Sequence, residues 1–192
     1  RGARIVCMSY VADLHTHSLY ARGTSSKLTF ENMALWARMK GIDLLATGDF
    51  THAEWLAEIR AKLHATGDGL YELDSVRFVL GTEVNCSAEQ AGRHRRVHVL
   101  VFAPDLVTVD AINSALGRYG KLASDGRPTV HMTPQDLLET LLAIDERCFI
   151  IPAHLWTPHF GLYGEKSGFD SLDECFGDMA THVAAIETGL SS

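Results

Sequence analysis

Three stretches of this chain, "GIDLLATGD" (41–49), "VRFVLGTEV" (76–84) and "CFIIPAH" (148–154), are short, nearly unbroken apolar runs that close on a carboxylate or an imidazole. Runs this short suit strands covered on both faces better than helices, so the chain needs a sheet with layers packed on either side. Strands are expected over 4–14, 42–47, 76–82, 97–102, 149–152 and 182–187. Helical patterns lie between them. Thr29 caps "FENMALWARMK" and Gly41 stops it. Thr51 or His52 opens "AEWLAEIRAKLHA", which runs to near Gly67. "TVDAINSALGRYG" follows Leu106, and Thr133 with Pro134 at the first helical position opens "PQDLLETLLAIDE". Strands alternating with helices predict an α/β fold on a parallel sheet, open or closed into a barrel.

Nothing in the chain divides it: there is no linker, repeat or low-complexity tract, and a single domain over residues 1–192 is expected, large enough for a full core. No apolar run approaches the ~18 to 20 residues that cross a bilayer, and no secretory signal opens the chain, so a cytoplasmic protein without a membrane partner is expected. Cys7, Cys86, Cys148 and Cys175 are widely spaced with no Cys-x-x-Cys pair, which predicts reduced, buried thiols rather than disulfides or a zinc ribbon. The formal net charge of −7 argues against an overall basic nucleic-acid face, with "RHRR" at 93–96 as a local exception.

The polar residues sit where such a fold does chemistry. "ADLHTHS" (12–18) places Asp13, His15 and His17 two apart, hence on one face of an extended strand. "TGDFTH" ends the second strand with Asp49 and His52, "GTEV" ends the third with Glu83, and "RRVHVLVFA" carries His98. "PAH" ends the fifth with His154, and "IETG" supplies Glu187. Strand ends of α/β proteins converge on one rim. Imidazoles mixed with carboxylates suit zinc, manganese or iron better than magnesium or calcium alone. Five histidines with two or three carboxylates exceed the needs of one tetrahedral ion. They fit two or three divalent ions sharing a bridging carboxylate, zinc first, as used in phosphate-ester hydrolysis: one ion lowers the pKa of water and the others hold phosphate oxygens. His15, His17, Asp49, His52, Glu83, His98 and His154 are the expected ligands, with Glu83, His154 and Asp49 central to catalysis and Asp13 and Glu187 supporting from behind. His64, His94, His131, His159 and His182 are read as surface or structural.

In this order, "DLHTHS", "TGDFTH", "GTEV", "VHVL" and "PAH" resemble the PHP (polymerase and histidinol phosphatase) superfamily. "KGIDLLATGDFTHAEWLAEI", "SDGRP", "IPAHLWTPHFGLYGEKSGFDSLDECFGD" and "IETGLSS" are similar to the PHP domain of the endonuclease Q family, nearly end to end. The resemblance implies a distorted (β/α)7 barrel with a trinuclear metal centre at its rim. It also implies nicking of DNA on the 5′ side of deaminated bases such as hypoxanthine and uracil. Two departures stand out. The family's Asp-x-His after its last strand does not occur before Ser192, so the last strand is expected to be lacking here. Phe50 also stands where many members carry the histidine of a "TDH" motif, leaving His52 to substitute. The glycine-rich segment "WTPHFGLYGEKSGFDS" offers Trp156 and Phe160 for base stacking and Lys166 for a phosphate, and Arg93, Arg95 and Arg96 could meet the DNA backbone. "SDGRP" reads as a turn. Two other readings are a PHP phosphoesterase acting on a small monoester and a catalytically incomplete PHP domain that binds without turnover.

Overall fold

A computed structural model describes residues 10–90 and 92–189. The predicted strand segment 4–9, Cys7 and the last three residues of "IETGLSS" lie outside them. The described chain builds an eight-stranded sheet with five α-helices. Strands β1 (Ala12–Asp13), β2 (Leu44–Ala46) and β5 (Val76–Gln90) run parallel side by side. Strands β3 (His64–Ala65) and β4 (Tyr71–Leu73) form an antiparallel flank on β5. Beyond them β5 pairs antiparallel with β6 (Arg93–Ala103), which pairs antiparallel with β8 (Phe149–Pro152), while β7 (Thr129–Val130) joins β5 in parallel.

The expected all-parallel sheet is therefore corrected to a mixed one, and among the described residues it is not closed into a barrel. The correction has a physical source. Continuous apolar runs report burial on both faces, not strand direction, and here both faces are covered. On β6, Val97, Val99, Val101 and Ala103 enter the large core, while Leu100 and Phe102 enter a smaller one on the opposite face with Ala46, Ile151 and Ala153. The β5–β6 hairpin, with Gln90 opposite Arg93, turns through Gly92 at φ 72°, a conformation glycine adopts without strain.

Three of the long helices, those opening after Thr29, Asp105 and Thr133, begin on side-chain caps. Helix α1 (Phe30–Lys40) starts at Thr29, whose side chain accepts from Asn32 N–H, and ends on Gly41 at φ 70°. It buries Phe30, Met33, Ala34 and Ala37, the spacing of a single helical stripe. Helix α2 (Ala53–Lys62) starts after His52 and stops short of the expected end near Gly67, because His64–Ala65 pair with β4 instead. Helix α3 (Leu106–Leu116) is capped by Asp105. Helix α4 (Pro134–Ile144) has a full capping box, with Thr133 and Asp136 each bonded to the other's backbone. Thr133→Ala is expected to lower the stability by about 1 kcal/mol, read as a shifted urea midpoint at unchanged slope. No shift at all would mean that the box adds nothing.

Residues 182–187 were expected as a strand. They instead leave a 3₁₀ turn (Gly177–His182) and run irregularly, yet Glu187 is fixed beside β8: its N–H donates to Pro152 O at 3.1 Å and its carbonyl accepts from Leu155 N at 3.1 Å. A short helix α5 (Leu172–Phe176) precedes that turn. No helix among the described residues is long and apolar enough to cross a membrane. Cys86, Cys148 and Cys175 are free and buried, as expected; burial pushes the Cys148 thiol up to about 11 and those of Cys86 and Cys175 higher still.

Candidate metal centre

The centre grows from the small-core face of the sheet. On β5 the residues facing it alternate, Val79, Gly81, Glu83, and Glu83 pairs directly across from Leu100 on β6. Two residues before Leu100, His98 falls on the same face. Gly81 leaves the layer tightly packed, since a Cβ there would sit 3.1 Å from both Ala46 Cβ and the Phe102 ring. Glu83 thus emerges at the end of a small apolar layer with its side chain 1% exposed.

Around it converge imidazoles from three further elements. His17 Nε2 and His15 Nε2 lie 3.2 and 3.5 Å from Glu83 Oε2. His98 Nδ1 and His154 Nε2 lie 2.8 and 3.2 Å from Glu83 Oε1. The ligand atoms of His15, His17 and Glu83 form one cluster, and those of Glu83, His98 and His154 a second; within each, all lie within 4.8 Å of one another. Each carboxylate oxygen faces its own pair of imidazoles, and Glu83 is common to both clusters.

The supports behind the imidazoles set their tautomers. Asp49 Oδ1 lies 3.1 Å from His17 Nδ1, and Glu187 presents both oxygens 3.0 Å from His15 Nδ1. A carboxylate accepts the Nδ1 proton, which leaves each Nε2 lone pair facing Glu83. Thr157 does the same for His154. Its Oγ1 lies 3.0 and 2.9 Å from the His154 and His159 carbonyls, so its proton goes to a carbonyl and the oxygen accepts from His154 Nδ1 at 2.9 Å. In the neutral tautomers so held, these nitrogens present lone pairs to Glu83. Accordingly Glu83 Oε2 is buried and takes no hydrogen bond despite two nitrogens within 3.5 Å. Lone pairs converging on a buried carboxylate fit divalent-cation binding.

The electrostatics favour positive charge between these imidazoles and Glu83, whether carried by protons or by metal ions. Burial would raise the Glu83 carboxyl, but the four surrounding imidazoles hold it far below the usual carboxylate range. Burial would lower His15, yet Glu187 and Glu83 outweigh it and push it up to about 10, and Asp49 with Glu83 raises His17 in the same way. His98, where burial dominates, is lowered. The pocket is built for positive charge.

Backbone strain is concentrated here. Asp49 (φ 49°), His154 (φ 30°) and Phe160 (φ 64°) occupy the left-handed region, which costs a non-glycine residue roughly 1–3 kcal/mol. The turn carrying Asp49 is held by Trp55, whose Nε1 donates to the Thr47 and Gly48 carbonyls at 3.0 and 2.9 Å. Trp55 in turn stacks on Phe30, with ring centroids 4.1 Å apart. Ser18 donates its N–H and its hydroxyl to Asp49 Oδ2, both at 2.6 Å.

Of the residues expected from sequence, His15, His17, Glu83, His98 and His154 come together as ligand atoms. Asp49 stands behind His17, with both oxygens engaged, rather than among the converging atoms. Asp13 accepts the His15 N–H at 3.2 Å, and Glu187 also accepts the His154 N–H at 2.5 Å. His52 is not brought in: it precedes helix α2 and stacks on Tyr20, centroids 4.4 Å apart, because its neighbour Phe50 is wholly buried in the large core. Arg95, expected at DNA, is corrected to a buried clamp. It is 6% exposed, bonds Gly168 O and Glu174 Oε1, and lies over the Phe169 ring. Phe160 stacks on His98 at 4.4 Å rather than standing free. Arg93, Arg96, Trp156 and Lys166 remain exposed. Thr157 and Arg127 were missed; the Thr-x-x spacing after His154 was the only available signal for the first, and "SDGRP" read as a plain turn hid the second.

No protein-family model matches the chain. It is 31% identical over 172 residues to the uncharacterized protein MJ0043 of Methanocaldococcus jannaschii, covering 88% of this chain and 19% of that protein. It is 30% identical over 198 residues to the uncharacterized protein YqxK of Bacillus subtilis, covering 94% and 48%. Two of its structural neighbours are endonuclease Q chains. The lesion-specific endonuclease PfuEndoQ from Pyrococcus furiosus superposes with a TM-score of 0.83 at 32% identity, over 95% of this chain and 42% of that one. Endonuclease Q bound to a 27-mer duplex substrate with an abasic lesion at the active site superposes at 0.78 and 33% identity, over 88% and 40%. The chain spans less than half the length of each of these proteins.

Proposed function

We propose that this chain is the metal-dependent phosphodiesterase part of an endonuclease that nicks DNA on the 5′ side of deaminated bases, hypoxanthine or uracil, in DNA repair. The observation that carries the reading is Glu83 held between two imidazole pairs in a chain whose fold is that of endonuclease Q. Two divalent ions, zinc first and manganese or iron as substitutes, would be held by His15, His17 and Glu83 and by Glu83, His98 and His154. Such ions supply Lewis acidity toward phosphate oxygens and bring the pKa of water near neutrality.

The chain's own residues do the rest. Asp49, Glu187 and Thr157 hold the Nδ1 protons of His17, His15 and His154, so that these ligands keep one tautomer and one orientation. Glu83 keeps its charge because the imidazoles face it. A cavity of about 400 Å³ opens over Asp13, His15, His17, Glu83, Arg127 and His154. A second, of about 530 Å³, adjoins it at Arg127 and His154 and is bounded by Asn85, His98, His159 and Phe160. That volume is ample for a nucleotide drawn out of a duplex. Exposed Arg93, Arg96, Trp156 and Lys166 support contact with the DNA strand.

The test uses oligonucleotide duplexes carrying hypoxanthine, uracil or no lesion, with zinc or manganese supplied. Nicking 5′ of the lesion, abolished by a chelator and restored by metal, is the expected result. Phosphate release from a small monoester without nicking would instead favour the monoesterase reading. Bound metal with neither activity would leave a domain that binds without turnover.

A further inference from the structure

The turn "SDGRP" is built into the metal centre. Asp125 Oδ1 accepts the N–H groups of Arg22 and Arg127 at 3.0 and 3.1 Å, and Gly126 N donates to Tyr20 O at 3.1 Å. Gly126 lies so close to the centre that a Cβ there would come within 2.6 Å of Asp49 Cγ. After Pro128, whose carbonyl accepts Asn85 N–H at 3.0 Å, the chain continues as β7 along β5. Arg127 is therefore fixed from both sides. Its Nη2 donates to Arg22 O at 2.9 Å, and its Nε lies 3.9 Å from Glu83 Oε2. Its Nη1 makes no hydrogen bond among the described residues, and the side chain is 32% exposed. It lines both cavities that meet at the centre.

Glu83 alone is a distant partner for this guanidinium, since their closest approach is 3.9 Å. The guanidinium cannot be a metal ligand, and two dications held by a single bridging carboxylate would repel it. An anion lying between them removes that conflict, and the planar fork of arginine matches phosphate oxygens as a point-charge ammonium does not. We propose that Arg127 is a phosphate-binding residue of this site, contacting the non-bridging oxygens of the phosphate group that sits over the Glu83 centre. This rests on the hydrolase reading for its substrate, but not for its measurement.

The experiment is calorimetric titration of inorganic phosphate into the zinc-loaded chain, comparing wild type with Arg127→Gln and Arg127→Lys, alongside zinc content and melting temperature. Glutamine removes the charge, and lysine keeps the charge without the planar fork. Phosphate affinity is expected to fall tenfold or more in Arg127→Gln, and by a smaller factor in Arg127→Lys, with zinc content and melting temperature unchanged. Equal affinity in wild type and Arg127→Gln overturns the proposal, as does loss of zinc alongside phosphate or no phosphate binding by the zinc-loaded wild type. Should Arg127→Gln not fold, wild-type affinity in Arg127→Lys overturns it. Phosphate binding that depends on Arg127 in a chain that cleaves no phosphodiester would instead overturn the hydrolase reading alone.

Discussion

Glu83→Gln is expected to abolish metal binding at both halves of the centre, with elemental analysis giving two ions per chain for the wild type and none for the variant. Each oxygen of Glu83 faces a separate imidazole pair, so one substitution acts on both clusters. The amide is nearly isosteric, but it removes the single negative charge that two ions would share and turns one N–H₂ toward imidazole lone pairs. Phosphodiester cleavage should fall with the ions. Metal ions contribute several kcal/mol to transition-state stabilisation, which at ~1.4 kcal/mol per decade is a loss of about a thousandfold or more. The fold should survive, because Val84 and Leu80 on the opposite face of β5 remain in the large core. A circular dichroism spectrum like that of wild type, together with absent metal, is the pattern to look for. Full metal content in Glu83→Gln would sink the bridging role.

The second large effect is expected at Asp49→Asn, a residue that belongs to neither cluster but stands behind one of its imidazoles. Asp49 Oδ2 receives two donors from Ser18, and Oδ1 receives the His17 Nδ1 proton. An asparagine has one oxygen, and two donors at Ser18 claim it. Its NH₂ group must then face His17 Nδ1, which flips the preferred tautomer and points an N–H rather than a lone pair at the centre. Supports of this kind are worth about 10–100-fold in metal affinity, and the forced tautomer places Asp49→Asn at the upper end. Competition with a chromophoric chelator measures it. The loss should be confined to the ion beside His15 and His17, so one ion of the pair weakens and the other holds. Equal weakening of both ions, or of neither, would contradict the tautomer argument.

These two residues also show what can be seen along the chain and what cannot. Glu83 was legible because an apolar strand that ends in a carboxylate has no structural reason to do so without a cation. Asp49 was legible as a participant but not in its role. Ligand and support are chemically alike, and what separates them is the Ser18 hydroxyl and N–H, brought close by a loop 31 residues away. The α1 and α4 boundaries were legible for the same reason as Glu83: capping by Thr29 and Thr133 is a contact between residues three apart. The hairpin of β5 with β6 was not. Burial of both faces erases the alternation that would have marked antiparallel neighbours.

Arg95 and Arg127 make the contrast sharpest. Both stood in short polar segments, one in a basic run and one in a turn. The basic run sent Arg95 inward to Glu174, 79 residues on, where it clamps the loop after His154. The turn sent Arg127 toward Glu83, 44 positions earlier in the chain. The linear chain by itself determined which atoms are available: imidazoles and carboxylates at strand ends, apolar strands behind them, helices with their caps. Those follow from residue type and near-neighbour spacing. Only the tertiary structure decided which nitrogen faces which oxygen, which carboxylate lies between the imidazoles and which stands behind them, and which arginine reaches the centre. His15 and Glu187 are 172 residues apart and meet at 3.0 Å. Such pairings are made where strands far apart in sequence bring their ends to one face of the sheet, and near-neighbour chemistry carries no record of them.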